Sequence, residues 1–425
     1  MARRKHGRQY DLIVLGATGY TGQLTSEHIA THLPTDLRWA VAGRSEPKLQ
    51  ILVGECQKLN PDRLAPSIEL VNINDKTQLK SLIEKACVVI TTVGPYCLYG
   101  ELTFRLCAEA GTHYIDCTGE APWVAQMIKK YEGTAKKTGA IMLPQSGIES
   151  APADLVTWSM AQHLRKDLDA ATKDAVVTIH KLDNSGKPSG GTLATVLVHF
   201  EHFSLKEVVE AAKPYAMSPI PHTSGSRPQR SLLQGILGVT SLPNLGIVTT
   251  SLAEKTDQAV VTRTWGLLHE IPSRKGEFYG PKFTWAEYFK ARNWLHGIAV
   301  HLALAIGGLL LIFVAPFRIL VKKFVYQPGE GVSREDMARE ELEYRGTASP
   351  DLASNPTKKQ AFCRAWYHGG LYTLTGVFLA QGALTILEDD LELDGGLYTP
   401  ACLGQGYVDR LNSAGFKIHV KTIEG

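Results

Sequence analysis

The sequence lacks several patterns that would quickly assign a function. No two of its seven cysteines form a CxxC pair, and an odd, scattered set is poor material for a disulfide framework or a zinc site. Neither charge dominates, since 45 Lys plus Arg face 42 Asp plus Glu, which disfavours broad attraction of nucleic acid. We therefore predict an intracellular protein with no metal centre and no nucleic-acid partner.

The N-terminal stretch also lacks a secretory pattern. It is basic, but the stretch between Tyr10 and Gly16 that contains the apolar run has only five residues, too few for the core of a signal peptide. We expect a first β-strand there instead. A chain of 425 residues is long enough for two or three domains.

Short β-branched runs alternate with longer amphipathic stretches as far as residue 155. This alternation is typical of an α/β fold, here a Rossmann-type doubly wound parallel sheet. The predicted strands are 11–16, 38–43, 67–72, 87–93, 113–117 and 140–144. The predicted helices begin near Tyr20 and cover about 45–59, 76–85, 100–110 and 122–138.

The pattern changes between residues 156 and 370. The segments "DAVVTIHKL", "QAVVTRTWGLL" and "QAFCRAWYHGG" look like strands and are separated by loops rich in Pro and Gly. We predict an inserted α+β second domain for substrate binding or dimerisation. After Gly370, "LYTLTGVFLAQGALTIL" has the period of a helix.

The glycine-rich segment "GATGYTG", residues 16–22, follows the first predicted strand and opens a helix. Gly16 would let the chain turn sharply, Gly19 would let a backbone amide approach a phosphate, and Gly22 would let the helix pack closely. The pyrophosphate of a dinucleotide would then lie at the helix N-terminus. The alternative is a turn that needs glycines only for its shape.

The end of the second predicted strand indicates which dinucleotide is bound. An NAD site usually has an acidic residue there, whereas this chain has Arg44 and Ser45, with Lys48 one turn later. These donors suit a 2′-phosphate, so NADP (NADPH) is favoured over NAD. The alternative is that Arg44 is an ordinary surface charge and Glu46 acts as the acid.

Other predicted strands bring polar residues and glycine to the same sheet edge. Asp75 follows the third strand and could accept a hydrogen bond from adenine, although Asp is also a good helix N-cap. Val93, Gly94 and Pro95 follow the fourth strand and would pass near the cofactor. Asp116, Thr118, Gly119 and Glu120 follow the fifth, where we favour turn or cap roles for Asp116.

The segments "GATGYTG", "AGRS", "VGPY", "YIDCTGE" and "PQSGIESAPADL" resemble the saccharopine dehydrogenase-like oxidoreductases, whose bacterial members are called trans-acting enoyl reductases. The resemblance covers the first 155 residues and returns in "GGLYTPACLGQGYVDRLNSAGFKIHV". It implies an NAD(P)-binding domain at 1–155, a second domain at 156–370 and a segment, 371–425, that returns to the first. It also implies association with lipid droplets or membranes in eukaryotes.

The resemblance implies cofactor-binding roles for Gly16, Thr18, Gly19, Tyr20, Gly22, Arg44 and Gly94. With the residues inferred from strand ends, the predicted nucleotide site comprises Gly16, Thr18, Gly19, Tyr20, Thr21, Gly22, Arg44, Ser45, Lys48, Asp75, Val93, Gly94 and Pro95. It implies no catalytic residue.

A reductase usually needs a proton donor beside the nicotinamide. None of the fifteen tyrosines has Lys four residues later, which disfavours a short-chain dehydrogenase. Tyr96 and Tyr99, after the fourth predicted strand, are the weak catalytic candidates. An amino-acid substrate would favour several arginines in the second domain, where Arg227, Arg230 and Arg263 are scattered.

Residues 297–317 form the longest apolar run, with His301 as its polar residue. About twenty such residues make a helix as long as the hydrocarbon of a bilayer is thick. The run therefore predicts a transmembrane helix, a re-entrant or surface-lying element bent near Gly307 and Gly308, or a buried core helix.

Three functions remain open at this point. The favoured one is an NADPH-dependent oxidoreductase that reduces an enoyl or keto group of a lipid-like substrate at a membrane or lipid-droplet surface, with its soluble domains in the cytosol. The alternatives are a saccharopine-type amino-acid dehydrogenase and a nucleotide-binding lipid-surface protein without turnover. A homodimer is possible in each case.

Overall fold

Two seven-stranded sheets organise the computed structural model, which describes residues 6–183, 201–223, 232–322, 331–352 and 357–425. The described strands are β1 Tyr10–Leu15, β2 Trp39–Gly43, β3 Ser67–Leu70, β4 Ala86–Thr91, β5 His113–Asp116, β6 Ile141–Leu143, β7 Thr172–Asp183, β8 Val239–Leu242, β9 Gly246–Thr250, β10 Thr284–Lys290, β11 Glu341–Pro350, β12 Lys359–His368, β13 Gly396–Leu397 and β14 Lys417–Glu424.

The described helices are α1 Tyr20–His32, α2 Glu46–Leu59, α3 Lys76–Glu84, α4 Tyr96–Ala110, α5 Ala121–Thr138, α6 Ala151–Leu168, α7 Leu205–Ala211, α8 Leu232–Leu237, α9 Glu254–Glu270, α10 Trp294–Phe313, α11 Ala315–Lys322, α12 Arg334–Met337, α13 Leu371–Glu388 and α14 Gln405–Ser413. Short 3₁₀ turns lie at Pro272–Glu277 and Pro400–Leu403.

The first sheet is parallel, with strand order β13-β6-β5-β4-β1-β2-β3. Its central strands are buried on both faces, as their continuous apolar sequences require. The strand order reverses between β1 and β4, and ligands of such sheets bind at that point. The predicted Rossmann-type fold is confirmed, with element boundaries within a few residues of those expected, except that α4 begins at Tyr96.

The second sheet is mixed, with order β14-β12-β11-β7-β10-β9-β8. β7 and β10 pair in parallel, and the other pairs in this sheet are antiparallel. The predicted strand "QAVVTRTWGLL" is wrong, because these residues lie in helix α9. Its β-branched residues are buried all round between α6 and the sheet, and this packing overrides their strand propensity.

The C-terminal segment is divided between the two sheets. α13 packs along α1 and across β4 and β5, and β13 pairs with β6. The final strand, β14, instead pairs with β12 in the second sheet. Residues 371–425 were expected to return to the Rossmann domain. α13 and β13 do so, but β14 joins the second sheet, so the segment connects the two sheets.

Helix α10 projects from the second sheet. It begins four residues after β10 ends, and its base is held by β8 and β9: the Thr249 hydroxyl donates to the carbonyl of Gly297 (2.7 Å), and Thr250 bonds His301 (2.8 Å). Only 6% of its most apolar stretch is buried. The buried-core alternative for residues 297–317 is therefore wrong.

Candidate functional site

The glycine-rich turn connects β1 to α1 at the reversal point of the first sheet. Gly16 has a positive φ of 83°, and a Cβ there would lie 2.7 Å from Val93 Cγ2. A Cβ at Gly22 would collide with the carbonyl oxygen of Gly16. Gly16 and Gly22 are thus required by close packing.

Gly19 has a different environment from its two neighbours. The nearest atom to a Cβ there would be the carbonyl oxygen of Gly16, at 3.3 Å, and Gly19 is the N-cap of α1 with no side-chain cap bond. The first amides of a helix have no partners within the helix and favour an anion. The turn therefore has the shape and polarity that a pyrophosphate requires.

The residues that follow β2 are exposed. Arg44 and Lys48 form no hydrogen bond or ion pair with any other part of the chain that the structure describes, and Ser45 is the N-cap of α2 without a side-chain cap bond. Thr18 lies close to this strand end, with its hydroxyl 3.8 Å from where a Cβ of Gly43 would be. These groups can meet an added phosphate without breaking existing contacts.

Two of the predicted site residues have structural partners. The Asp75 carboxylate accepts from the amides of Thr77 (2.9 Å) and Gln78 (3.1 Å) and so caps α3, the alternative considered for it. The Tyr20 hydroxyl donates to the carbonyl of Val332 (2.8 Å) and faces the segment beside α12. Neither arrangement favours the predicted contact with the nucleotide.

The tyrosine candidates lie on the first turn of α4. Tyr96 is buried, and its hydroxyl donates to the carbonyl of Thr91 (2.9 Å), which does not favour a role as proton donor to a substrate. Desolvation raises its pKa well above the ordinary value. Tyr99 is 43% exposed and stays a candidate.

The start of α4 is held by a carboxylate from the next strand end. The Glu120 carboxylate accepts from the backbone amides of Tyr96 (2.7 Å) and Cys97 (2.8 Å) at the start of α4. These bonds fix the end of the preceding loop, which consists of Val93, Gly94 and Pro95. This loop packs on Gly16 through Val93, while Gly94 is exposed. The role of Glu120 is thus a cap role.

Asp116, at the end of β5, is fully buried. It accepts from the Tyr114 hydroxyl (2.6 Å) and from the amides of Thr118 (2.9 Å) and Gln145 (3.0 Å), so it joins the loops after β5 and β6. Desolvation raises its pKa to about 7 against these hydrogen bonds. This is the turn role that the sequence favours.

Comparison with known proteins agrees with this geometry. Residues 12–143 match the family described as saccharopine dehydrogenase NADP binding domain. Over 97% of this chain and 97% of the relative, the sequence is 30% identical to a saccharopine dehydrogenase-like oxidoreductase of Mus musculus. The chain belongs to the saccharopine dehydrogenase-like oxidoreductases.

Other relatives of this saccharopine dehydrogenase-like oxidoreductase extend the comparison. A trans-acting enoyl reductase of Mycobacterium bovis (strain BCG / Pasteur 1173P2) is 28% identical over 96% of this chain and 97% of its own length. The apo saccharopine dehydrogenase (L-Glu forming) from Saccharomyces cerevisiae has a TM-score of 0.56 at 11% identity, covering 97% of this chain and 100% of that one. The likeness to the yeast structure shows that the two chains share a fold. The chain is an NADP-binding oxidoreductase related to enoyl reductases.

The closing "TPA" segment of this saccharopine dehydrogenase-like chain has a structural role. The buried carboxylate of Asp154, on α6, accepts from the amide of Ala401 (2.9 Å) and the hydroxyl of Thr264 (2.6 Å). Thr264 also bonds Thr399 (2.6 Å). These bonds fasten the C-terminal segment to α6 and α9. Desolvation raises the pKa of Asp154 to about 7.

Glu149, which lies between β6 and α6, is not among the site residues predicted from the sequence. The signal was present, because Glu149 follows a strand whose carboxyl end lies at the predicted ligand edge and stands at the entry to a helix.

Proposed function

We propose that this oxidoreductase uses NADPH to reduce an enoyl or keto group of a lipid-like substrate, and that α10 docks it on a membrane or lipid-droplet surface. The observation that carries the proposal is the exposed apolar helix α10, with a mean hydropathy of 2.1 and 6% of its most apolar stretch buried. Apolar surface of this extent on a folded protein marks an interaction site.

Five large, strongly exposed apolar side chains of α10 form one stripe. They recur at spacings of three, four or seven residues, which places them on one face of the helix. The large members are Leu295, Leu302, Ile306, Leu309 and Phe313. His301 instead bonds Thr250 at the base of the helix, so its polar group turns away from the stripe.

The topology disfavours a single crossing of the membrane. β10 precedes α10, β11 follows it, and both pair with β7 in one sheet. A helix that crossed once would put neighbouring strands on opposite sides of a bilayer. α11 has eight residues, about 12 Å of helix, which is too short to cross back.

The expected bend at Gly307 and Gly308 is wrong, because α10 is continuous to Phe313 and the break lies at Val314, before Pro316. Arg318 folds back there and donates to the carbonyls of Leu311 and Ile312 (3.0 Å each). Free carbonyls are costly in lipid, so this contact suits a helix end at a membrane surface.

A surface-lying or one-leaflet insertion of α10 follows, with Trp294, which is 49% exposed, as an interfacial anchor. Protease added to vesicles carrying the protein with a C-terminal tag should digest the tag together with the N-terminal domain. Protection of the tag alone would establish a span and contradict this arrangement.

Preference for NADPH is the cofactor part of the proposal, and Arg44 supports it. A charge-assisted hydrogen bond to phosphate contributes about 1.5–3 kcal/mol. Arg44→Asp should therefore weaken NADPH binding by about tenfold or more and leave NADH binding nearly unchanged in calorimetric titration. The matched variant Lys58→Asp, at the far end of α2, should change neither affinity. Equal affinities of the unaltered protein for NADPH and NADH would contradict the proposal.

The amino-acid alternative has less support from the described arginines. Arg263 is buried, and its guanidinium already donates to the carbonyls of Met217 (2.6 Å) and Leu397 (2.6 Å) and to Glu132 (2.9 Å). It is therefore poorly placed to bind a substrate carboxylate. Arg227 and Arg230 lie outside the described residues.

Substrate class is tested by NADPH oxidation. The full-length protein would be given phosphatidylcholine vesicles that contain 2-enoyl or 3-keto acyl lipids, and separately saccharopine with NADP⁺. We expect NADPH consumption with the lipid substrates and no NADPH formation with saccharopine and NADP⁺. Turnover of saccharopine without turnover of either lipid would overturn the proposed substrate class.

A further inference from the structure

The loop between β6 and α6 brings a carboxylate to the cofactor edge of the first sheet. β6 ends at Leu143 and α6 begins at Ala151, so residues 144–150 lie at the carboxyl end of the strand. A Cβ on Gly119, which follows β5, would collide with Oε2 of Glu149. The carboxylate of Glu149 therefore lies directly on the backbone that follows β5.

The position of Glu149 relative to the cofactor follows from the direction of the dinucleotide. A pyrophosphate at the N-terminus of α1 would place the adenosine half over β2, toward Arg44. The other half of a dinucleotide in this fold crosses the reversal point in the opposite direction, over β4 and β5. The nicotinamide half would thus be directed to the strand end where Gly119 and Glu149 meet.

Glu149 is not used by the fold itself. It forms no hydrogen bond or ion pair with any other residue that the structure describes, and its side chain keeps exposed surface although the protein atoms around its carboxyl group partly desolvate it. Two polar atoms of the same loop, Gln145 Nε2 and Ser150 Oγ, are buried and have no partner among the described residues. Gln145 is 3% exposed and Ser150 is 1% exposed. The loop therefore presents two polar groups and one carboxyl group that could form hydrogen bonds with a ligand.

The groups around Glu149 favour its protonated form. Desolvation raises its pKa, and the charged or ionisable groups that interact with it are the Cys117 thiol, the Tyr344 hydroxyl and the Asp257 carboxyl. Asp257 is fully buried on α9, and its carboxyl group lies against that of Glu287, which raises the pKa of Asp257 further after desolvation. Behind it, Glu287 accepts from the Ser251 hydroxyl (2.6 Å). These three groups and Glu287 supply no cation that would stabilise the carboxylate, so nothing among them offsets the upward shift in the pKa of Glu149.

From this geometry we propose that Glu149 is the catalytic acid that donates a proton to the substrate during reduction. The identity of the proton acceptor rests on the proposed function, whereas the place of Glu149 beside the nicotinamide does not. When bound, NADPH supplies the hydride that forms the new C–H bond, and it is oxidised as the enoyl or keto group is reduced. The O–H bond of Glu149 breaks, its proton goes to the α-carbon or the oxygen of the substrate, and water then returns a proton to the carboxylate.

The position can be tested without any substrate. The affinities of the full-length protein for NADP⁺ and NADPH would be titrated separately between pH 5.5 and 8.5. A carboxylate beside the nicotinamide attracts the positive ring of NADP⁺, so the preference for NADP⁺ should rise about tenfold as Glu149 loses its proton. Ionisation of the 2′-phosphate is common to both nucleotides and cancels in the ratio.

Glu149→Gln should make this ratio nearly independent of pH. Glu424→Gln, the same change on the exposed end of β14, should behave as the unaltered protein. A pH-independent ratio in the unaltered protein, or an unchanged pH dependence in Glu149→Gln, would overturn the assignment. Because the first outcome uses the unaltered chain, the test stands even if the variant does not fold.

A second readout separates the two proposals. With the 2-enoyl or 3-keto lipid vesicles, Glu149→Gln should lower kcat by about a hundredfold or more at unchanged KM, and Glu149→Asp should recover part of it. A pH-dependent nucleotide ratio without turnover of these lipids would refute the proposed substrate class and keep Glu149 beside the nicotinamide. Full turnover by Glu149→Gln would refute the acid role.

Discussion

Helices α10 and α13 are both long and apolar enough to cross a membrane, yet their surroundings are opposite. α13 has a mean hydropathy of 1.3 and is 83% buried, whereas α10 reaches 2.1 and is 6% buried. α13 crosses the first sheet and packs along α1. Apolar composition therefore does not decide whether a helix joins the core.

The residues that distinguish the two helices are the small and polar ones. A Cβ on Gly376 of α13 would lie 3.0 Å from the Cα of Thr25 on α1, and Gln381 bonds the buried His28 (3.0 Å). On α10, nothing lies within 4 Å of the corresponding position on Gly307 or Gly308. α10 has a closely packed glycine, Gly297, and a paired polar group, His301, at its base, whereas α13 has them further along the helix, where it crosses α1.

The largest expected effect comes from filling the crossing of α1 and α13. Gly376→Leu should lower the free energy of unfolding by about 3 kcal/mol or more, because the added atoms meet backbone that cannot give way. The matched change Gly307→Leu on α10 should leave it unchanged within about 0.5 kcal/mol. Chemical denaturation of both variants measures the difference, and equal losses would remove the distinction between the helices.

The α1–α13 interface should also respond to pH. Desolvation, with a further contribution from His32, lowers the pKa of His28 to about 3, below its unfolded value of about 6.5. Between these values the unfolded chain binds a proton that the folded chain does not. The stability contributed by neutral His28 is therefore present above pH 6.5 and is lost as pH falls toward 3.

At pH 5 this loss amounts to about 2 kcal/mol relative to pH 7. His28→Gln removes the titrating group, so the difference in unfolding free energy between the unaltered protein and the variant should shrink as pH falls from 7 to 5. Denaturant titrations at the two pH values measure it. If the difference in unfolding free energy between the two proteins is the same at pH 7 and pH 5, His28 is not held neutral in the interface.

A smaller effect is expected at the start of α10. The Asn293 side chain accepts from the amide of His296 (2.8 Å), whereas the N-cap of α13, Gly370, has no side-chain cap bond and the amide of Leu371 donates to Glu340 (2.8 Å). Asn293→Ala should cost about 1 kcal/mol locally. Amide exchange in the first turn of α10 should then be about fivefold faster, with α13 unchanged. Faster exchange in both helices would mean that they unfold together.

The Rossmann-type sheet could be predicted from the sequence because its strands are short β-branched runs and each crossover helix has its own period. The same logic failed for α9, whose Val260, Val261 and Thr262 have strand propensity but are enclosed by α6 and the second sheet. Long-range packing of this kind leaves no local pattern.

In the candidate site, too, local features could be predicted from the sequence and long-range contacts could not. The steric need for Gly16 and Gly22 was predictable, since a tight strand-to-helix turn admits no side chain there. The partner of Tyr20 was not, because Val332 lies more than three hundred residues away. The place of Glu149 after a predicted strand could be read from the sequence, but its contact with Gly119 could not, because that contact arises from the adjacency of β5 and β6 in the sheet.

The central claim is that α10, unlike α13, meets lipid. Its most direct test is flotation of the full-length protein with phosphatidylcholine vesicles and with triacylglycerol droplets, comparing the unaltered chain with a variant that carries Leu302→Asp, Ile306→Asp and Leu309→Asp. A control with Ile51→Asp, Leu59→Asp and Leu64→Asp changes equally exposed apolar side chains on the first domain. We expect the unaltered protein and the control to float and the α10 variant to lose binding by about a hundredfold or more, while it keeps its affinity for NADPH. Equal flotation of all three proteins, or none by the unaltered one, would contradict the claim.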